Sequence, residues 1–206
     1  MKKTVCMLVL LLASASCLMS HAQDCSKTNQ KMKTNKKVLV AFFSHTGENY
    51  AVGNIEKGNT HIIAEMIAAE TGGTLFEIVP QNAYPKTYDA CVKVAEKEKK
   101  ANARPAIVGD APVEEYDVIY IGYPNWWGDM PMPVYTFIEK HDWNGKTVIP
   151  FCTHEGSGLS DTERRIAKAC KGATARKGLA VRGATAQNDR TQAKKAVSAW
   201  LEKINQ

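Results

Sequence analysis

Three short runs in this chain are almost entirely apolar: Val38–Phe43 (VLVAFF), Val118–Gly122 (VIYIG) and Thr147–Cys152 (TVIPFC). A strand with one face in water would alternate polar and apolar residues, and these do not. They read as strands buried on both faces, as in a parallel sheet covered by helices on each side. Two more polar segments, Leu75–Val79 with Glu77 inside it and Ala175–Val181, read as the edge strands. Apolar residues at helical spacing fill the gaps, over Thr60–Glu70, Tyr88–Lys100, Val134–Lys140, Asp161–Cys170 and Arg190–Ile204. The alternation predicts an α/β fold with a five-stranded parallel sheet. Placing the three apolar strands in the middle gives the order 2-1-3-4-5. The 206 residues, 44% apolar and 23% charged, suit one domain. They exclude a chain disordered throughout, a collagen-like repeat and a multi-span membrane protein.

Residues 1–22 (MKKTVCMLVLLLASASCLMSHA) begin with Lys2 and Lys3, continue in an apolar run from Val5 to Ala13 and end in small residues. This pattern predicts a signal peptide cleaved after Ala22 and export to the periplasm. The apolar run is shorter than the ~20 residues that span a bilayer. Lipidation at Cys17, the only route to a membrane here, is the alternative, although Ser14-Ala15-Ser16 before it lacks the usual leucine-like residue. Residues 23–36 are polar and unperiodic, which predicts a flexible tail, and the folded domain is expected over 37–206. Losing Lys2 and Lys3 lowers the net charge from +6 to about +4, too mild and too dispersed to indicate nucleic acid. Cys25, Cys91, Cys152 and Cys170 remain, without zinc-pair spacing. A disulfide among them and four free thiols are both compatible with an oxidising compartment. Cys152, at the end of a central strand, is expected to be buried and reduced.

Ligands of a 2-1-3-4-5 sheet bind beyond the carboxyl ends of the strands, where strands 1 and 3 part. The loop after strand 1 reads Ser44-His45-Thr46-Gly47, then eleven residues, then Asn59-Thr60 opening a helix. Hydroxyls, a flexible glycine and a helix N-terminus make an anion site, with Asn59 or Thr60 as the expected cap. Neither a Gly-Lys-Ser/Thr phosphate loop nor GxGxxG is present. Hydroxyls and amides without a lysine suit a phosphate monoester held without a metal. The loop after strand 3 contains Pro124-Asn125-Trp126-Trp127-Gly128. Adjacent indoles point apart and are hard to bury together, so a stacking surface for a flat ligand is one reading; a protein-docking hot spot or a packing plug is the other. After strand 4, Thr153-His154-Glu155-Gly156-Ser157-Gly158 offers exposed amides. Phosphate cradle, aromatic loop and glycine loop meeting at one edge point to flavin mononucleotide (FMN).

At these residues the chain resembles the flavodoxin-like superfamily, in particular bacterial flavodoxin-family proteins with a split phosphate loop. The stretches that carry the likeness are FFSHTGENYAVGNIEKGNTHIIAEMIA, IYIGYPNWWGDMPMPVYTFIE and PFCTHEGSGLS. The resemblance implies a three-layer α/β sandwich that binds FMN. It implies that Ser44, Thr46, Gly47, Asn59 and Thr60 hold the phosphate with His45 alongside, and that Pro124, Asn125, Trp126, Trp127 and Gly128 face the ribityl chain and ring. Thr153, His154, Gly156, Ser157 and Gly158 would close the site. Residues 48–58 interrupt the usual compact phosphate loop, and the mild positive charge departs from the acidic character of small flavodoxin carriers.

Flavin chemistry needs no side-chain nucleophile. The expected activity is oxidoreduction, from NAD(P)H or a protein donor to a quinone-like acceptor, with His154 as a candidate proton donor. A flavodoxin-type carrier without its own substrate, or a non-enzymatic binding module, is the alternative. Export limits the supply of nicotinamides, which favours a protein or quinone donor.

Overall fold

The structure is a computed structural model that describes residues 36–204. The expected signal peptide (1–22) and nearly all of the expected tail (23–36) lie outside the described residues.

Five parallel strands form the continuous path of a six-stranded sheet: β1 (Val38–Phe42), β4 (Thr74–Glu77), β7 (Val118–Pro124), β8 (Thr147–His154) and β10 (Leu179–Arg182). Their spatial order is β4-β1-β7-β8-β10, the 2-1-3-4-5 arrangement read from the apolar runs. Alternate residues of each strand serve opposite faces. Leu39, Ala41 and Phe43 join Ile119, Ile121, Tyr123, Val148 and Cys152 in one core. Val40 and Phe42 join Tyr120, Ile149 and Phe151 in the other. The first core is covered by α2 (Tyr88–Lys100), α3 (Met132–Glu139) and α4 (Thr162–Ala169), and the second by α1 (Asn59–Thr71), α5 (Gly183–Asn188) and α6 (Arg190–Ile204). Two cores separated by one sheet explain why the central strands carry almost no polar residue.

The edges depart from the expectation. The segment foreseen as one strand over Ala175–Val181 is broken into β9 (Thr174–Ala175) and β10, both paired with β8. The short helix α5 was not anticipated, since its six residues carry no usable periodicity. Residues 48–58 contribute to a hairpin of β2 (Gly47–Asn49) and β3 (Gly53–Ile55). A second small pair joins β5 (Val79–Pro80) and β6 (Ile107–Val108).

Candidate functional site

The carboxyl ends of β1, β7 and β8 open into a cleft of about 450 Å³. The loop after β1 forms one wall. Ser44 Oγ accepts the N–H of His61 at 3.1 Å, so a serine from the preceding loop caps α1. The expected cap was Asn59 or Thr60, but the N-cap position is Gly58 and both residues already lie inside the helix. A side chain at Gly58 could not be accommodated, because its Cβ would stand 2.2 Å from Ser44 Oγ and 2.5 Å from the His45 carbonyl oxygen. Asn59 instead accepts a hydrogen bond from Gln187 Nε2 at 2.9 Å. Thr60 is buried and shares a 2.8 Å hydrogen bond with Thr153 Oγ1, which ties α1 to the end of β8.

A lysine does reach this loop, contrary to the sequence reading. Lys86 Nζ donates to Thr46 Oγ1, and the Lys86 carbonyl accepts the N–H of Glu48 at 2.7 Å. Lys86 lies forty residues from its partner, just ahead of α2, and no local pattern links the two. The hydroxyls of Ser44 and Thr46 accept these bonds and keep their own protons available to an anion. His45 is only 9% exposed, and its Nε2 is buried without a hydrogen-bond partner. Burial, then the charge of Lys86, lowers its pKa from 6.5 to about 4, so the imidazole is neutral at pH 7.

The loop after β7 is a tight hairpin. Trp126 and Asp129 exchange backbone hydrogen bonds of 2.8 and 3.0 Å. The two residues between them, Trp127 (φ 57°) and Gly128 (φ 74°), both take left-handed backbone, as primed hairpin turns require. Glycine accepts this freely. For a tryptophan it is strain, of the kind retained where the side chain's position matters. The two indoles divide the roles that the sequence left open. Trp126 is half-buried and packs edge-on against Phe43, Tyr84 and His45, with ring centroids 5.4, 5.1 and 5.7 Å away. Trp127 is 50% exposed, and its Nε1 donates to the Val92 carbonyl at 3.4 Å. Buried Asp129 anchors the turn, accepting from Tyr135 at 2.9 Å and pairing with Arg165 at 3.3 Å.

Asn125 joins this loop to the next. Its Nδ2 donates to the Gly158 carbonyl at 2.7 Å and to Ser160 Oγ at 2.9 Å, while its Oδ1 is buried and unpartnered. Thr153 and His154 are the last residues of β8 rather than the start of a loop. His154 Nδ1 accepts the Gly156 N–H at 2.9 Å. Its pKa is lowered by burial and by Arg182, against a smaller opposing effect of Glu155.

A family model described as flavodoxin matches residues 37–204. The chain belongs to the flavodoxin family. Solved structures agree in fold. A protein of Bacteroides eggerthii described as a candidate flavoprotein is 32% identical over 84% of this chain and 99% of its own, with a TM-score of 0.64. One of Bacteroides uniformis, described in the same terms, is 32% identical over 81% of this chain and 98% of its own, with a TM-score of 0.62. A flavoprotein of Lactobacillus acidophilus, solved in complex with FMN, is 21% identical over 83% of this chain and 99% of its own, with a TM-score of 0.58. None of the curated proteins matches.

In this flavodoxin-family domain, His45, Asn59, Pro124, Asn125, Trp126, Trp127, Thr153, His154, Gly156 and Ser157 line one cleft. Ser44, Thr46, Gly47, Thr60, Gly128 and Gly158 are not among the lining residues, and belong to the loops and helix start that carry them. The inserted hairpin, whose role the sequence left open, brings Glu48, Asn49 and Tyr50 to the cleft, and α2 brings Tyr88, Cys91, Val92 and Ala95. These two elements were missed because they meet the site only through tertiary packing. Cys91, Cys152 and Cys170 are buried free thiols, and burial pushes Cys152 up to about 12.

Proposed function

We propose that the chain is an FMN-binding oxidoreductase that passes electrons from NAD(P)H or a protein donor to a quinone-like acceptor. The observation that carries this reading is a pair of orphaned atoms. His45 Nε2 and Asn125 Oδ1 are two of the three buried, unpartnered side-chain polar atoms among the described residues. They belong to different loops yet line the same cleft. Buried polar groups without partners are costly, so two in one cleft indicate a polar ligand that supplies the missing bonds. A flat, aromatic, phosphorylated cofactor fits the donors around it. Ser44, Thr46, Gly47, Asn59 and Thr60, with His45 and Lys86, would hold its phosphate. Pro124, Asn125, Trp126, Trp127 and Gly128 would face its ring, and Thr153, His154, Gly156, Ser157 and Gly158 would close over it. FMN, when bound, supplies the electron-storing ring.

The protein's own contribution is to bind, orient and handle protons. With Nδ1 occupied as an acceptor, neutral His154 carries its proton on Nε2. It is the candidate to donate an Nε2–H hydrogen bond to an oxygen of the acceptor, orienting it and stabilising its reduced form. We include export through residues 1–22 in the proposal, on the strength of their charged, apolar and small-residue pattern.

Reduction of menadione by the FMN-loaded protein tests the reading, at steady state with NADH or NADPH and in a single turnover by protein reduced beforehand with dithionite and freed of the excess. Turnover that falls in His154→Ala is expected. Absence of quinone reduction with every reductant would overturn the oxidoreductase assignment.

A further inference from the structure

Six large apolar side chains are exposed among the described residues, and three of them, Tyr50 (64% exposed), Tyr88 (40%) and Trp127 (50%), line the same cleft. They come from three different elements. Tyr50 follows β2 in the inserted hairpin, Tyr88 opens α2, and Trp127 lies in the strained turn after β7. None is loose. Glu48 Oε2 accepts the Tyr88 N–H at 2.9 Å, which fixes the hairpin against α2. The Trp127 indole donates to Val92, one helical turn beyond Tyr88, and Lys99 Nζ donates to the Trp127 carbonyl. The rings of Tyr50 and Tyr88 lie 6.1 Å apart and inclined by 34°. That spacing is too small to admit a third ring between them, so the tyrosines form a single aromatic wall.

The charge of the cleft is as informative as its rings. Its inner part, near His45 and Asn59, adjoins the loop held by Lys86. Its lining includes Glu48 and Glu155 and no lysine or arginine. A dinucleotide pyrophosphate would face two carboxylates, with the neighbouring lysines, Lys86 and Lys99, engaged at Thr46 and at the Trp127 carbonyl outside the lining, whereas an uncharged ring loses nothing.

We propose that the outer part of the cleft, walled by Tyr50, Tyr88 and Trp127, is a substrate subsite for uncharged planar rings of the quinone class, and that it excludes pyridine dinucleotides. The inference rests on the reading of the inner part as a flavin site, and it directs the search for the reductant toward a redox protein or an uncharged quinol.

Isothermal titration of the full chain, loaded with FMN, tests it, with menadione, NADH and NADPH as probes. Saturable menadione binding is expected, with no saturable binding of either nicotinamide. Tyr50→Ala and Tyr88→Ala should each weaken menadione about three- to tenfold, the weight of one aromatic contact, while FMN affinity is unchanged. Wild-type menadione affinity in both variants would overturn the subsite, and nicotinamide binding as tight as that of menadione would overturn the selectivity. The same titration without FMN separates the two readings. A chain that takes up no FMN but binds menadione in a Tyr50-dependent manner loses the proposed function and keeps the subsite.

Discussion

Lowering the pH should destabilise the FMN-free protein through one histidine. His45 titrates at 6.5 in the unfolded chain and at about 4 in the fold, because burial and Lys86 disfavour its charged form. Between those values the unfolded state binds more protons, so stability is complete above about pH 6.5 and drains away as the pH falls toward 4. The whole shift is worth about 3 kcal/mol at ~1.36 kcal/mol per pH unit, and about 2 kcal/mol of it is gone by about pH 5. That is a large share of a typical domain's stability. Urea denaturation at pH 7.5 and 5.0, for wild type and for His45→Phe, isolates the effect from other titrating groups. Phenylalanine keeps a flat ring beside Trp126 and cannot protonate. The wild type should lose about 2 kcal/mol more than the variant between the two pH values. Equal losses would refute the claim that His45 is buried neutral.

Three further perturbations follow from the loops. Trp127→Gly should raise the thermal midpoint by relieving strain of roughly 1–3 kcal/mol, while weakening menadione binding measured by calorimetry. Asn125→Ala removes both donors to Gly158 and Ser160. It should cost about 1–3 kcal/mol in urea unfolding and loosen FMN binding, read by flavin fluorescence. Cys91, Cys152 and Cys170 should resist thiol labelling at pH 8 in the native protein and react fully in urea, as mapped by mass spectrometry, because burial holds all three thiols protonated.

The sheet was legible because its physics is local. VLVAFF, VIYIG and TVIPFC lack polar positions, and a parallel sheet between two helical layers is the arrangement that tolerates such runs. The edge strand over Ala175–Val181 was misdrawn because an edge needs fewer apolar residues, and its break at Arg176–Gly178 leaves no mark in hydropathy. In the site, the three loops at the strand ends were identifiable from residue type and topology. What local sequence could not show was which distant groups join them. Lys86 on Thr46, Gln187 on Asn59 and Tyr88 beside Tyr50 are contacts between residues tens of positions apart. The helix cap was misplaced for the same reason, since Ser44 caps α1 from 17 residues upstream of His61. The pair Trp126-Trp127 stands out in the sequence, yet only the left-handed turn shows that one indole packs inward while the other stays exposed.

Calorimetric titration of FMN into the purified, flavin-free chain tests the central claim most directly. The account predicts saturable binding at one FMN per chain, accompanied by quenched flavin fluorescence and weakened in both Asn125→Ala and Gly58→Ala. No heat of binding and no change in flavin fluorescence at high FMN would contradict it.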